Sequence, residues 1–202
     1  MRLFLVRHGQ TDWNLLNRFQ GSSDVPMNEE GLTQARNIAR RLADTPFAAA
    51  YTSPLSRAKD TAIAIIGGRD IPLYEDDSLL EVRMGIWEGQ LMPEMAKAYP
   101  EQWWFYEHKP SELRVPEADI LPERVAECAA FIKKLWEKYP DDDVLITSHG
   151  YGLRFVIAGF FGLDVDSVGM YTFANCSLSI IGGNSPDGRL RIRTLNDNTH
   201  NA

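Results

Sequence analysis

The sequence predicts an α/β protein: a three-layer α/β/α sandwich with a mostly parallel sheet and a small helical lid insertion. Short, continuous apolar runs rich in branched residues recur along the chain, which is typical of strands buried on both faces of a parallel sheet. Segments with helical apolar spacing lie between these runs, and such alternation of strands and helices is typical of layered α/β proteins. The length of 202 residues suits one domain.

The first half of the chain alternates strands with helices. Strands are predicted at residues 3–6, 47–51 and 71–74, each a short apolar run that ends at polar residues. Asn28 is predicted to cap a helix that continues to about residue 42 and keeps its apolar side chains on one face. A second helix is predicted over residues 55–66 and ends at a pair of glycines.

The middle of the chain is less regular. Residues 81–90 contain two glycines and a tryptophan and are predicted to form a loop. About residues 91–121 contain several prolines and a dense set of aromatic side chains. We interpret this region as a helical lid inserted into a single domain of residues 1–202.

The remainder returns to alternating elements. The predicted elements are an amphipathic helix at 123–139, a buried strand at 144–147, an apolar helix at 153–161, and terminal strands at 178–181 and 190–195. A turn is predicted at 182–188. The three consecutive aspartates within residues 140–143 are predicted to lie in a solvated turn. His108 and His200 are expected to be solvated surface groups.

The composition excludes several functional classes. With 21 Lys and Arg against 28 Asp and Glu, the formal net charge is −7, whereas a general nucleic-acid binder needs a basic face. Cys128 and Cys176 show no metal-ligand spacing, so we expect two buried, reduced thiols and no metal site. No apolar run is long enough for a signal peptide or a membrane span. We therefore expect a cytoplasmic protein without a membrane partner.

Two segments share one pattern: a buried strand, one polar residue and then His-Gly. The pattern gives His8 after the first strand and His149 after the strand at 144–147. Because ligands of parallel sheets bind beyond the carboxyl ends of the strands, both histidines are expected at one site. Arg7 immediately precedes His8, and Arg57 lies one turn into the helix that follows another strand. The sequence therefore predicts two histidines and two arginines at the same edge.

These side chains suit chemistry on a phosphate ester. Arg7 and Arg57 can each form two hydrogen bonds to phosphate oxygens. A neutral His8 can attack phosphorus, and His149 can donate a hydrogen bond to an oxygen that gains charge in the transition state. The leaving alkoxide needs a proton, which a carboxylic acid beside the site would supply. Glu81, at the start of a glycine-containing loop, is the candidate acid.

These residues resemble the histidine phosphatase superfamily, also called the phosphoglycerate-mutase-like family. Five motifs occur in the family's order and span nearly the whole chain. They are Arg-His-Gly-Gln-Thr-Asp-Trp-Asn at 7–14, Ser-Pro-Leu-Ser-Arg-Ala at 53–58, the block at 81–89, Ser-His-Gly at 148–150 with Arg154 shortly after, and Asn-Cys-Ser at 175–177. An Arg-His-Gly triplet alone would be a weak signal, whereas five ordered motifs are specific.

The resemblance implies a role for each matched residue. His8 would be the nucleophile that forms a phosphohistidine, and Glu81 the acid and later the base that activates water. The implied phosphate and substrate pocket consists of Arg7, Asn14, Gln20, Gly21, Arg57, His149 and the backbone amide of Gly150. Glu88 is a rival acid, but it falls on the family's Trp-Glu-Gly position. No metal or other cofactor is implied, and a homodimer is one assembly that the resemblance leaves open.

The resemblance implies a histidine acid phosphatase-type phosphoric monoester hydrolase of the phosphatase branch. A mutase holds two phosphates and needs extra basic residues, whereas the lid region carries only Lys97, Lys109 and Arg114. We therefore expect a phosphomonoesterase that acts on small phosphorylated metabolites or rather hydrophobic phosphate esters. The alternatives are a 2,3-bisphosphoglycerate-dependent phosphoglycerate mutase, a dedicated α-ribazole phosphate phosphatase and a non-catalytic binding protein. The last is disfavoured because the nucleophile and both pocket arginines are present.

Overall fold

The computed structural model describes residues 1–185 and 188–202. Its strands are β1 (Arg2–Arg7), β2 (Ala49–Thr52), β3 (Leu73–Glu75), β4 (Asp143–Ser148), β5 (Leu178–Gly182) and β6 (Arg191–Asp197). In this part of the chain they form one six-stranded sheet in the order β3-β2-β4-β1-β5-β6. Strands β3, β2, β4 and β1 are parallel to one another, and β5 runs antiparallel to both of its neighbours, β1 and β6. The mostly parallel sheet is confirmed.

Helices cover both faces of the sheet. They are α1 (Asp12–Leu15), α2 (Glu29–Arg41), α3 (Ser56–Ile66), α4 (Met92–Ala98), α5 (Pro100–His108), α6 (Leu121–Lys138) and α7 (Gly150–Phe161). Because successive side chains of a strand point to opposite faces, β1 contributes to two cores. Phe4 packs with α2 and α3, whereas Leu5 packs with α6 and α7. The predicted three layers are therefore confirmed.

The region predicted as a lid contains α4, α5 and a short 3-10 helix, Pro110–Glu112. Its aromatic side chains pack onto the body of the molecule: the ring of Tyr106 lies 5.6 Å from that of Phe19 and 6.2 Å from that of the buried Trp87. Trp104 is half-exposed and stacks on His108, which is exposed as expected. That this region is an insertion into one domain of residues 1–202 stays a prediction.

Two predictions about polar residues are wrong. Asp143 is the first residue of β4, where it is buried and its Oδ1 accepts a hydrogen bond from Arg2 Nε at 2.6 Å. Asp141 and Asp142 are exposed in the turn as predicted, whereas an ion pair across neighbouring strands holds Asp143 in the sheet, which a run of aspartates alone could not reveal. His200 is half-buried, and its Nε2 lies 2.8 Å from the carbonyl oxygen of Cys176. The predicted turn at 182–188 includes residues 186 and 187, which lie outside the described residues.

Two further expectations concern cysteines and membranes. Cys128 and Cys176 are both buried and free. Among the described residues, no helix combines the length and the apolar character that crossing a bilayer requires.

The loop after β1 lies directly on the first turn of α2. A side chain at Gly31 would place its Cβ 2.1 Å from the carbonyl oxygen of Gln10, and one at Gly9 would lie 2.4 Å from the carbonyl oxygen of Gly31. The two glycines therefore allow a backbone-to-backbone approach that no other residue permits. The backbone N–H of Asn28 strengthens this approach, because it donates to Gln10 O at 2.9 Å.

We predict that Gly31→Ala lowers the free energy of unfolding by about 1–3 kcal/mol, because its methyl group would overlap the loop backbone. Alanine normally stabilises a helix relative to glycine by about 1 kcal/mol, so the expected sign is opposite to helix propensity. Urea denaturation measures the difference. Thr33→Ala, on the exposed face of the same helix, is the control and should change stability by less than about 0.5 kcal/mol. A gain in stability for Gly31→Ala would contradict the prediction.

Candidate active site

A small pocket opens where β1 and β2 end, at the edge of the sheet that the sequence predicts. Its lining contains the predicted site residues Arg7, His8, Asn14, Gln20, Gly21, Arg57 and Glu81. It also contains Tyr106, from the aromatic set of the lid, and six residues that the sequence did not single out: Arg18, Phe19, Val82, Met84, Met92 and Tyr151. The cavity measures about 70 Å³. His149 and Gly150 lie beside this pocket and do not contribute to its lining.

His8 is buried and held in one tautomer. Its Nδ1 lies 2.7 Å from the carbonyl oxygen of Gly9, which can only accept, so Nδ1 carries the proton and Nε2 carries the lone pair. Burial lowers the pKa of His8 well below its ordinary value, and the charges of Arg7 and Arg57 lower it further. His8 is therefore neutral at pH 7, as a nucleophilic imidazole must be.

Arg57 is fully buried, and each nitrogen of its guanidinium donates a hydrogen bond. Nη1 donates to Ser23 O at 2.7 Å, Nη2 to Gly21 O at 3.1 Å and Nε to His149 Nδ1 at 3.2 Å. Burial lowers the pKa of Arg57 to about 10, which leaves it charged at pH 7. Its carbonyl partners are neutral, so its charge stays available to an anion in the pocket.

His149 packs against His8, with 5.1 Å between the ring centroids, and both of its nitrogens have partners. Because Arg57 Nε can only donate, His149 Nδ1 is the acceptor and the neutral ring carries its proton on Nε2, which lies 2.8 Å from Ser53 Oγ. Burial is the main cause that lowers the pKa of His149 well below its ordinary value. The structure thus places His149 behind Arg57, where it orients that guanidinium. Direct contact of His149 with phosphate stays a prediction.

Arg7 presents a second cation. Its Nη1 donates to Phe173 O at 2.6 Å, while its buried Nε has no hydrogen-bond partner among the described residues. Burial lowers the pKa of Arg7, and the nearby carboxylate of Glu81 opposes that shift. A buried, unsatisfied donor is costly unless a ligand accepts its hydrogen bond. An anion bound beside Arg7 would do so.

The carboxyl group of Glu81 lies at the N-terminus of α7. Its Oε1 accepts hydrogen bonds from the N–H groups of Val82, Tyr151 and Gly152 at 3.0–3.2 Å. Its Oε2 is approached by a single backbone N–H, at the longer distance of 3.4 Å, among the described residues. A Cβ at Gly150 would lie 3.7 Å from Oε2 and 3.9 Å from Arg7 Nε, so both atoms border the same space at Gly150. One oxygen anchors the carboxyl group and the other remains available for proton transfer.

Glu88, the rival acid, has a different role in the structure. Its Oε1 accepts hydrogen bonds from the N–H groups of Ser22 at 3.0 Å and Met84 at 3.1 Å. Gly21, in the left-handed region with φ +51°, leaves room for this contact, because a Cβ there would lie 2.0 Å from Glu88 Oε1. Glu88 therefore fixes the loop that carries Gly21 and does not line the pocket.

Asn14 and Gln20 complete the lining through their amide groups. Asn14 Oδ1 accepts from the Thr11 N–H at 3.1 Å and from Asn175 Nδ2 at 3.2 Å. Gln20 Oε1 accepts from the Thr11 hydroxyl at 3.0 Å. Sequence reasoning quoted Thr11 and Asn175 inside motifs without giving them a role, and it did the same for Ser53. The contacts of Ser53 and Asn175 come from distant segments, so no local pattern would have revealed them. Thr11 caps α1 and contacts Asn14 three residues later, which is a spacing that the sequence does show.

Within residues 1–185 and 188–202, no group of three or more His, Cys, Asp or Glu side chains is arranged to hold a metal ion. The groups that the pocket brings together are a histidine, two predicted arginines, two amides and a carboxyl group. These groups suit transfer of a phosphoryl group.

Comparison with known proteins identifies the family. A model of the histidine phosphatase superfamily (branch 1) matches residues 3–198. The chain belongs to this superfamily. It is 32% identical to the Bacillus subtilis protein named "uncharacterized phosphatase PhoE", over 97% of this chain and 94% of that protein. It is 34% identical to 2,3-bisphosphoglycerate-dependent phosphoglycerate mutase 2 of Gloeobacter violaceus, over 77% of this chain and 73% of that protein.

A solved structure agrees over the whole chain. The Bacillus stearothermophilus protein YhfR superposes with a TM-score of 0.89 at 29% identity, covering 100% of this chain and 99% of that one. The predicted family and fold are confirmed. The family and the names of its relatives support a phosphatase as the class of enzyme.

We predict that kcat/KM stays constant as the pH falls through 6.5 and declines only at lower pH. Protonation removes the lone pair of His8, and its pKa lies well below the ordinary 6.5 in the folded protein. The measurement is kcat/KM against pH with an aryl phosphate, expressed per substrate dianion because phosphate esters themselves ionise near pH 6. An acid limb centred at pH 6.5 or above would contradict a neutral, buried nucleophile.

Proposed function

We propose that the protein is a phosphomonoesterase that hydrolyses small phosphorylated metabolites through a phosphohistidine intermediate. In the first step, His8 Nε2 forms a bond to phosphorus while the bond to the ester oxygen breaks. The electron pair of that bond goes to the leaving oxygen, which takes a proton from Glu81. Arg7 and Arg57 bind the phosphate oxygens throughout, and the alcohol departs.

In the second step, water replaces the leaving alcohol. The Glu81 carboxylate takes a proton from the water while its oxygen forms a bond to phosphorus and the bond to His8 breaks. Inorganic phosphate leaves, and both His8 and Glu81 return to their starting protonation states. The balance of atoms and charge is complete without a metal ion or a further cofactor.

The side chains that the lid turns toward the pocket favour a phosphatase over a mutase. The lid contributes Met92 and Tyr106 to the lining. Among the described residues, none of the three basic side chains of the lid lines the pocket. Lys109 pairs with Glu112, and Arg114 donates to backbone carbonyls of the lid. On the lid side a second phosphate would meet apolar side chains, and the further cation of the lining, Arg18, comes from outside the lid and donates to Gly89 O at 2.6 Å.

The size of the pocket supports small or extended substrates. A cavity of about 70 Å³ is well below the roughly 300–1,000 Å³ of a site that encloses a drug-sized ligand. The phosphate and the first atoms of the alcohol would fill it. A larger alcohol would have to extend past Phe19 and Tyr106, which favours an apolar group at that position.

The test is phosphate release from a panel of phosphate esters, including phosphoserine, α-ribazole phosphate and 3-phosphoglycerate, the last also with its bisphosphate activator. We expect release of phosphate without isomer formation. Fast isomerisation of 3-phosphoglycerate with little phosphate released would identify a mutase and overturn the proposal. His8→Ala should remove turnover and also the acid-labile phosphoryl label that wild-type protein acquires from substrate. Turnover that persists in His8→Ala would exclude the phosphohistidine.

We predict that Glu81→Gln slows hydrolysis of alkyl phosphates by about 10²- to 10⁴-fold, since their alkoxide leaves only with a proton. An activated aryl phosphate should lose much less, because its leaving group departs as the anion. The ratio of kcat/KM for the two substrates is the measurement. Glu88→Gln is the matched control, and any loss it causes should be the same for both substrates. Equal losses on both substrates in Glu81→Gln would remove Glu81 from the role of acid.

A further inference from the structure

The motif after the nucleophile contains one buried hydroxyl group for which the proposed mechanism has no use. Thr11 lies between β1 and α1 and is fully buried. On the basis of the proposed phosphate site, we infer that Thr11 is a positioning residue. It turns the side-chain amides of Asn14 and Gln20 so that their NH₂ groups, and not their oxygens, face the phosphate.

The orientation of Asn14 follows from donors whose identity is not ambiguous. The backbone N–H of Thr11 can only donate, and it lies 3.1 Å from Asn14 Oδ1. Asn175 Nδ2 donates to the same oxygen at 3.2 Å and to His8 O at 3.0 Å. With its oxygen held between the Thr11 and Asn175 donors, Asn14 has only its NH₂ group left for the pocket that it lines.

The orientation of Gln20 follows from the single hydrogen of the Thr11 hydroxyl. Thr11 Oγ1 accepts a hydrogen bond from Asn14 N at 3.2 Å and lies 3.1 Å from Asn14 Oδ1 and 3.0 Å from Gln20 Oε1. Because Asn14 Oδ1 already accepts from two donors, the hydroxyl hydrogen goes to Gln20 Oε1. The oxygen of Gln20 is thereby occupied, and its NH₂ group is the part left for the pocket that Gln20 lines.

The consequence is electrostatic. The two faces of a carboxamide are close in shape but opposite in polarity, so an amide without fixed partners can rotate to present either one. An NH₂ group donates to a phosphate oxygen, whereas an amide oxygen in the same place repels the dianion. The backbone N–H of Thr11 orients Asn14 and its buried hydroxyl orients Gln20, so both amides are fixed as donors before substrate arrives, which is preorganisation of the site.

The test compares Thr11→Val, which keeps the shape and loses the hydroxyl, with Thr11→Ser, which keeps the hydroxyl. Inorganic phosphate is the probe, and its dissociation constant is measured by calorimetry. We expect Thr11→Val to weaken phosphate binding by about tenfold or more, the size typical of hydrogen bonds to a charged group, and Thr11→Ser to restore it. Equal losses in both variants, or wild-type binding in Thr11→Val, would overturn the inference.

A double-mutant cycle separates positioning from general damage to the fold. If Thr11 acts through Gln20, the Thr11→Val change should cost less than about twofold in a Gln20→Ala background. The same loss in both backgrounds would mean that Thr11 acts only as the N-terminal cap of α1, and would overturn the inference.

A measurement on wild-type protein covers the case in which Thr11→Val does not fold. The side-chain NH₂ signals of Gln20, assigned by their absence in Gln20→Ala, should shift in a ¹H–¹⁵N spectrum when phosphate is added. Signals that stay unchanged at saturating phosphate would overturn the inference. Wild-type protein that does not bind phosphate at all would instead overturn the proposed function, so the two failures are distinguishable.

Discussion

The pairing of β1 with β4 is the constraint on which the site depends. The strands are parallel and in register, with Arg7 opposite Ser148, so the residues that follow, His8 and His149, are neighbours by geometry. The same register brings the N-terminus of α7 beside β1, and with it the backbone N–H groups that hold Glu81. A one-residue shift in this pairing would turn every side chain of β1 to the other face.

The two arginines of the site, Arg7 and Arg57, are held by neutral groups. Arg7 and Arg57 donate to backbone carbonyls and to an imidazole, so burial costs each of them hydration without neutralising its charge. The carboxylate of Glu81 does most to oppose the lowering of the pKa of Arg7 and of Arg57. A phosphate dianion would balance the charges of Arg7 and Arg57 when Glu81 carries the proton that it donates in the proposed first step, and the protein would not need to reorganise when the dianion binds.

Much of this arrangement could be predicted from the sequence, for reasons that are local. The strands that carry the site are unbroken apolar runs, and the polar residues that end them must lie at the edge of the sheet. Contacts between distant segments could not be predicted in this way. In the sequence Gly31 is an ordinary helical glycine, and only the structure shows that the loop at Gln10 packs against it. Nothing near Asp143 in the sequence indicates that Arg2 is its partner.

The position of β1 also determines when the sheet can form. Its partners β4 and β5 lie far along the chain: Arg2 pairs with Asp143 of β4, 141 residues later, and with Gly182 of β5. During synthesis the apolar strand that precedes His8 therefore stays unpaired until the residues of β4 have emerged from the ribosome. Folding that depends on such distant pairing is slow, and the nascent chain is exposed to misassociation for that time.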